Sequence, residues 1–195
     1  MRVSWLYRIL RPLIWILMRI VFRPKYIGLE NIPASGRVVL AGNHTSFFDC
    51  VLIISTTNRT VHFLAKDSLM KGFKKILFGN MGIIPVNRAI HDKNALQAAI
   101  DALNNDEVIG IFPEGTINRT DDIIMPFKMG AVKMSSATKA DIVPFTITGG
   151  YKVFGKQRPT IEFMKPIRAK NKDLDKDNQI LTDIISKKLE EKRNQ

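Results

Sequence analysis

Three short stretches place residues capable of acid–base or anion chemistry directly beside apolar runs. The first is Gly42-Asn43-His44-Thr45-Ser46-Phe47-Phe48-Asp49. A helix beginning near Phe47, capped by Thr45 or Ser46, leaves His44 in the entering loop and puts Asp49 in the first turn, where imidazole and carboxylate can meet. A carboxylate on one ring nitrogen fixes the tautomer and stabilises the imidazolium. The other nitrogen is then free as a general base, an effect of roughly 10²–10⁴ in rate. Alone, the spacing is equally well explained by a buried structural histidine. The second stretch is Phe112-Pro113-Glu114-Gly115-Thr116-Ile117-Asn118-Arg119. Pro113 and Gly115 after a strand make a tight turn whose amides can approach an anion closely, and Arg119 can grip a phosphate; a plain strand-ending turn is the rival. The third, Gly82-Ile83-Ile84-Pro85-Val86-Asn87-Arg88, delivers an arginine at a strand end, where a solvated surface charge is the simpler reading.

The elements that must carry these residues follow from periodicity. Apolar runs at Val38–Ala41, Val61–Ala65, Ile83–Val86, Val108–Phe112, Ile142–Thr148 and Thr160–Met164 read as strands, with helix-like stretches between them. Asp92 is an N-cap for a helix carrying Ala95, Leu96, Ala99 and Leu103. A last helix has Ile180, Leu181, Ile184, Ile185 and Leu189 at helical spacing, aspartates before it and lysines in its final turns. Continuously apolar strands alternating with helices indicate an α/β fold with a mainly parallel central sheet flanked by helices. Ligands then bind beyond the carboxyl ends of the strands, where His44, Glu114 and Arg88 fall.

Of 195 residues, 45% are hydrophobic and 25% charged, which excludes collagen-like, low-complexity and disordered chains. One cysteine, Cys50, and three histidines without C-x-x-C or H-E-x-x-H spacing make a zinc site improbable, and no metal is expected. Thirty Lys+Arg against eighteen Asp+Glu leave +12, which calls for a polyanionic partner. Half of that charge lies in residues 1–25: Arg2, Arg8, Arg11, Arg19, Arg23 and Lys25 with no acid, interleaved with Trp, Leu and Ile. The longest uncharged run, Pro12–Met18, is far short of the roughly 20 residues of a transmembrane helix. At 100° per residue, Arg8, Arg11, Arg19 and Arg23 fall in one 120° arc, so residues 1–25 read as an amphipathic helical membrane-binding motif lying in the interface. Pro12 is expected to divide it into two helices, ahead of an α/β domain at 26–195. A core-packing first helix is the alternative. A basic nucleic-acid-binding protein would need exposed aromatics among its cations, and none of the simple nucleotide or serine-hydrolase motifs occurs.

Taken together and in order, the blocks resemble the bacterial lysophosphatidic acid acyltransferases (1-acylglycerol-3-phosphate acyltransferases) of the glycerolipid acyltransferase family. N-H-x4-D matches as Asn43, His44 and Asp49; G-x5-R as Gly82 and Arg88; F-P-E-G-T as Phe112 to Thr116; V-P as Val143 and Pro144. Lys66 and Lys128 also stand at family-like positions. Where members commonly read F-P-E-G-T-R-S-R, this chain has Ile117 and keeps only Arg119. The resemblance implies an acyltransferase moving a fatty acyl group from an acyl thioester, of acyl-carrier protein or coenzyme A, to the sn-2 hydroxyl of 1-acyl-glycerol 3-phosphate, giving phosphatidic acid in phospholipid synthesis. It implies no cofactor besides that cosubstrate, an anionic membrane surface as partner, and a peripheral place on the cytoplasmic face of the cell membrane. His44 would be the base and Asp49 its orienter. Lys66, Arg88 and Arg119 would meet the acceptor phosphate, and Gly82, Glu114, Gly115 and Thr116 would form the substrate pocket. Another lysolipid or glycerol 3-phosphate is the rival acceptor; a non-catalytic membrane-binding module would have no use for the His44/Asp49 pair.

Overall fold

In the computed structural model, which describes residues 5–70, 82–87, 89–90, 92–170 and 173–194, the apolar runs assemble into one seven-stranded sheet. Its strands are β1 (Lys25–Ile27), β2 (Val38–Gly42), β3 (Val61–Lys66), β4 (Ile84–Val86), β5 (Val108–Ile111), β6 (Asp141–Thr148) and β7 (Thr160–Phe163), in spatial order β1-β7-β6-β2-β5-β3-β4. β2 to β6 run parallel; β7 is antiparallel to β6, and β1 is parallel to β7. The helices are α1 (Trp5–Val21), α2 (Asp49–Ile54), α3 (Lys93–Asn104), α4 (Gly130–Thr138) and α5 (Leu174–Arg193).

Burial on both faces is why the strands are apolar without alternation. Along β2, Val39 and Ala41 pack into the core shared with α3, α4 and α5, whereas Val38 and Leu40 pack into the core shared with α1 and α2. The expected Asp92 cap forms, accepting from the Ala95 amide at 3.0 Å, and Asp173, one of the aspartates before the last helix, caps it by accepting from the Lys176 amide at 2.9 Å. In α5, Leu181, Ile185 and Leu189 are buried, a stripe worth about 1.5–3 kcal/mol per side chain.

The first helix departs from expectation in three ways. It continues through Pro12 as one 17-residue helix, although Pro12 has no amide to donate one turn back. Its expected basic stripe is also broken up. Arg11 donates to the carbonyls of Ile54, at 3.2 Å, and Thr57, so its charge satisfies orphan acceptors at the carboxyl end of α2. Arg23 lies past the helix end, and Arg19 stacks on Trp15 at 4.8 Å from the ring centroid. Third, the helix packs against the domain: Met18 and Phe22 are buried in the α1–α2 core, and Lys25 already belongs to β1. The helix nevertheless has a second apolar face, with Leu13, Ile16, Leu17 and Ile20 exposed at i, i+3, i+4, i+7 spacing. Among the described residues, no helix is long and apolar enough to cross a membrane.

Candidate active site

β2 leaves the sheet at Gly42, and the next residue is bolted to the neighbouring strand. The Asn43 side chain donates to the Ile147 carbonyl at 2.9 Å and accepts from the Ile147 amide at 2.7 Å, extending the β2–β6 ladder by one side-chain pair. His44 therefore starts from a fixed point. Its amide donates to Glu114 Oε1 at 2.8 Å and its carbonyl accepts from the Asn118 amide at 2.9 Å, so the 112–118 turn clamps its backbone from both sides. Its ring lies flat on Phe112, with centroids 3.9 Å apart and planes 5° off parallel.

Asp49 opens α2 and is completely buried, with 0% exposure. Its Oδ2 accepts from His44 Nδ1 at 2.8 Å and from the amides of Thr45 and Ser46 at 2.6 and 2.8 Å. Its Oδ1 accepts from Thr45 Oγ1 at 3.2 Å and from the Tyr151 hydroxyl. The capping is thus the reverse of the sequence expectation: neither Thr45 nor Ser46 caps α2, and the Asp49 carboxylate gathers the loop amides instead. A carboxylate in this setting has only acceptors to offer, which assigns the proton to His44 Nδ1 and leaves Nε2 with its lone pair. The arrangement can take a proton at Nε2 and hold the resulting imidazolium against Asp49.

Glu114, expected to line the substrate pocket, braces the loops instead. It is 3% exposed, and its second oxygen accepts from the Met125 amide at 2.8 Å. Burial pushes its carboxyl pKa up, against the two amide hydrogen bonds. Gly115 turns with φ +75°, and a Cβ there would come within 3.0 Å of the Lys128 side chain, so glycine lets Lys128 lie over the turn. Thr116 and Arg119 are exposed on the same loop, and Lys66 is exposed at the carboxyl end of β3.

Gly82 does not join the site. It is buried at the opposite end of the sheet, where its carbonyl lies 2.7 Å from His62 Nδ1 and a Cβ would come within 2.6 Å of that ring. Strand register puts it at the level of Val39, five residues before His44, or roughly 16 Å at 3.3 Å per residue. His62 is a buried structural histidine, its other nitrogen 2.9 Å from Glu107 Oε2. Arg88 lies outside the described residues. Among the described residues, no group of three or more His, Cys, Asp and Glu is placed to hold a metal ion.

Tyr151 joins this arrangement, and the sequence reading did not include it. Its hydroxyl is held on Asp49, and its pKa is raised by burial first and by the Asp49 charge second, so it stays a neutral donor. Its ring meets Phe22 and Phe48, with centroids 5.5 and 5.9 Å away. Phe47 and Phe48 are themselves exposed, so apolar surface lies beside the His44–Asp49 pair.

Comparison with known proteins agrees with this geometry. The Acyltransferase family model matches residues 23–148. A 1-acyl-sn-glycerol-3-phosphate acyltransferase of Borreliella burgdorferi is 35% identical over 179 residues, covering 84% of this chain and 70% of that protein. One of Bacillus subtilis is 28% identical, covering 73% of each. The crystal structure of the 1-acyl-sn-glycerophosphate acyltransferase from Thermotoga maritima superposes with a TM-score of 0.78 at 22% identity, covering 97% of this chain and 82% of that one. Four sequence blocks, a shared fold and a relative at this identity lead to one conclusion: the chain belongs to the acyltransferase family that includes these enzymes.

Proposed function

We propose that the protein transfers a fatty acyl group from an acyl thioester, of acyl-carrier protein or coenzyme A, to the free sn-2 hydroxyl of 1-acyl-glycerol 3-phosphate, giving phosphatidic acid. The observation that carries this reading is the His44–Asp49 pair, 2.8 Å apart on a braced loop at the carboxyl end of the sheet, beside an exposed apolar surface. His44 Nε2 takes the hydroxyl proton as the oxygen attacks the thioester carbonyl. Collapse of the tetrahedral intermediate breaks the C–S bond, and the imidazolium returns its proton to the leaving thiolate. The thioester is already activated, so no covalent enzyme intermediate is required, and most of the acceleration is positioning and charge stabilisation.

The acceptor phosphate would be met by cations at the same edge. Lys66 ends β3, Lys128 lies over Gly115, and Arg119 stands on the following loop; Arg88 completes the proposed set. Ile117 offers no charge where the family commonly has arginine, which concentrates the binding on these four. The exposed Leu13, Ile16, Leu17 and Ile20 face of α1 would rest in the bilayer interface, bringing the acceptor to the site from a peripheral position on the cytoplasmic face.

The test is mass analysis of the products formed by purified protein from a lysolipid panel offered with each thioester. Phosphatidic acid as the dominant product supports the reading. A dominant product from glycerol 3-phosphate or from a lysolipid with another headgroup reassigns the acceptor, and acyl transfer by a His44→Ala variant at the parent rate overturns the mechanism.

A further inference from the structure

The chain between β6 and β7 carries two large apolar side chains that nothing covers. Val153 is 57% exposed and Phe154 67%, the highest exposure among the large hydrophobic residues of the described chain. Phe154 also holds a left-handed backbone, φ +52°, a conformation that suits Gly, Asn or Asp and is unusual for a bulky aromatic. A phenylalanine there fills no core and strains the turn that carries it. Such an outlier points to a use outside the fold.

Its surroundings define that use. Lys152, Lys156 and Arg158 are exposed on either side of the apolar tip, and residues 149–161 contain no acid. The loop is stitched to α1: the Phe154 amide donates to the Val21 carbonyl at 3.2 Å, and the Arg23 guanidinium to the Gly155 carbonyl at 3.4 Å. It thereby adjoins the exposed apolar face of the helix, and through Tyr151 its first turn reaches Asp49. An apolar tip ringed by cations matches the cross-section of an anionic bilayer, with phosphates above and acyl chains below.

We infer that the loop from Gly149 to Arg158 is a second membrane contact, with Val153 and Phe154 entering the acyl boundary and Lys152, Lys156 and Arg158 meeting lipid phosphates. The inference rests on the membrane-bound acyltransferase reading above and extends it from α1 to the β6–β7 loop that abuts the end of that helix. Two contacts would fix the rotation of the domain on the surface, which one helix alone leaves free.

The experiment uses the full chain and sedimentation with vesicles of equimolar phosphatidylcholine and phosphatidylglycerol. Phe154→Asn removes the apolar side chain while suiting the left-handed turn, so folding should hold, as thermal unfolding would verify. Losing one inserted aromatic should weaken vesicle partition about tenfold to a hundredfold, with turnover of a short-chain soluble acceptor unchanged. Lys152→Glu/Lys156→Glu should lose binding to the anionic vesicles in the same direction. Phe154→Trp should gain quenching by brominated lipid above that of the parent. If the parent binds, an α1-face variant such as Leu17→Asp/Ile20→Asp loses binding, and Phe154→Asn binds like the parent, the loop inference is overturned while the α1 contact stands. A parent that does not sediment overturns both. Unchanged vesicle binding with a raised KM for acyl-carrier protein thioester assigns the loop to the acidic carrier protein instead and overturns the membrane contact.

Discussion

Replacing Asp49 by asparagine separates proton chemistry from loop construction. The carboxylate accepts from His44 Nδ1, from the Thr45 and Ser46 amides, from Thr45 Oγ1 and from Tyr151, all around a group with no solvent access. Asparagine keeps one acceptor oxygen. If that oxygen takes the place of Oδ2, the amides and His44 retain a neutral partner, but the charge that holds the imidazolium is gone. If the amide is flipped, its NH2 confronts His44 Nδ1 and two loop amides, forcing the wrong tautomer. In either orientation turnover should fall by about 10³–10⁴, the scale on which a carboxylate orienter acts elsewhere. The fold should suffer too, because weakened or orphaned buried donors cost about 1–3 kcal/mol, or roughly 2–12 °C in Tm for a chain of this size.

His44→Ala is the control, because it leaves the two amides on Asp49 while removing the base. It should match or exceed the loss of turnover, with a smaller loss of Tm confined to the Phe112 stack. The double variant should be no slower than the worse single one, since residues acting as a unit do not lose rate multiplicatively. Thiol release from an acyl thioester reports the rate and calorimetry reports the stability. Turnover of Asp49→Asn within about tenfold of the parent, or multiplicative losses in the double variant, would refute the base–orienter pair.

Three further outcomes follow from the same geometry. Leu17→Asp/Ile20→Asp should abolish vesicle binding yet spare turnover of a soluble short-chain acceptor, whereas deletion of residues 1–25 should also destabilise the domain, because it removes the buried Met18 and Phe22; equal Tm for the deletion and the parent would refute that packing. Burial raises the Glu114 carboxyl above its ordinary 4.5, so the folded state binds more protons than the unfolded, and this contribution to stability is lost as pH rises from 4.5 through the folded value; across that range the stability of Glu114→Gln should rise relative to that of the parent, and a constant difference between them would refute it. Arg119→Ala should raise the KM for phosphorylated lysolipid about tenfold to a hundredfold and leave that of the thioester unchanged; equal losses with a phosphate-free monoacylglycerol would place the phosphate elsewhere.

What could be read from the chain depended on how local the cause was. His44 and Asp49 stand five residues apart across one loop and the first turn of a helix, so their meeting is nearly dictated by backbone geometry. The strands were legible because a parallel sheet covered on both faces has no polar side to interrupt the pattern. β1 was not, because three residues, Lys25 exposed and Tyr26 and Ile27 half-buried, take their conformation from the pairing with β7. Spacing alone could not show that Gly82 precedes the three residues of β4 and so falls at the amino edge of the sheet, against His62, away from His44. Tyr151 reaches Asp49 from 102 residues away, yet a signal existed. The rule that sites form after the carboxyl ends of parallel strands, applied to β6 as it was to β2, singles out the residues just beyond Thr148.

The first helix marks where pattern reading stops. Core helix and interfacial helix stood as alternatives for residues 1–25, and a helical wheel could not choose, because apolar residues occupy both sides of it. Ile14, Met18, Val21 and Phe22 pack into the core formed with α2 and one face of the sheet, whereas Leu13, Ile16, Leu17 and Ile20 are exposed. Only the sheet shows which face is already used. The arginines carry the same ambiguity: Arg11 shares its arc with the others on the wheel but is taken up by the carbonyls that end α2. Charge that a wheel assigns to lipid can thus belong to a neighbouring helix terminus, and the apolar face left over, with the Val153–Phe154 tip stitched beside it, is the better measure of where a membrane would lie.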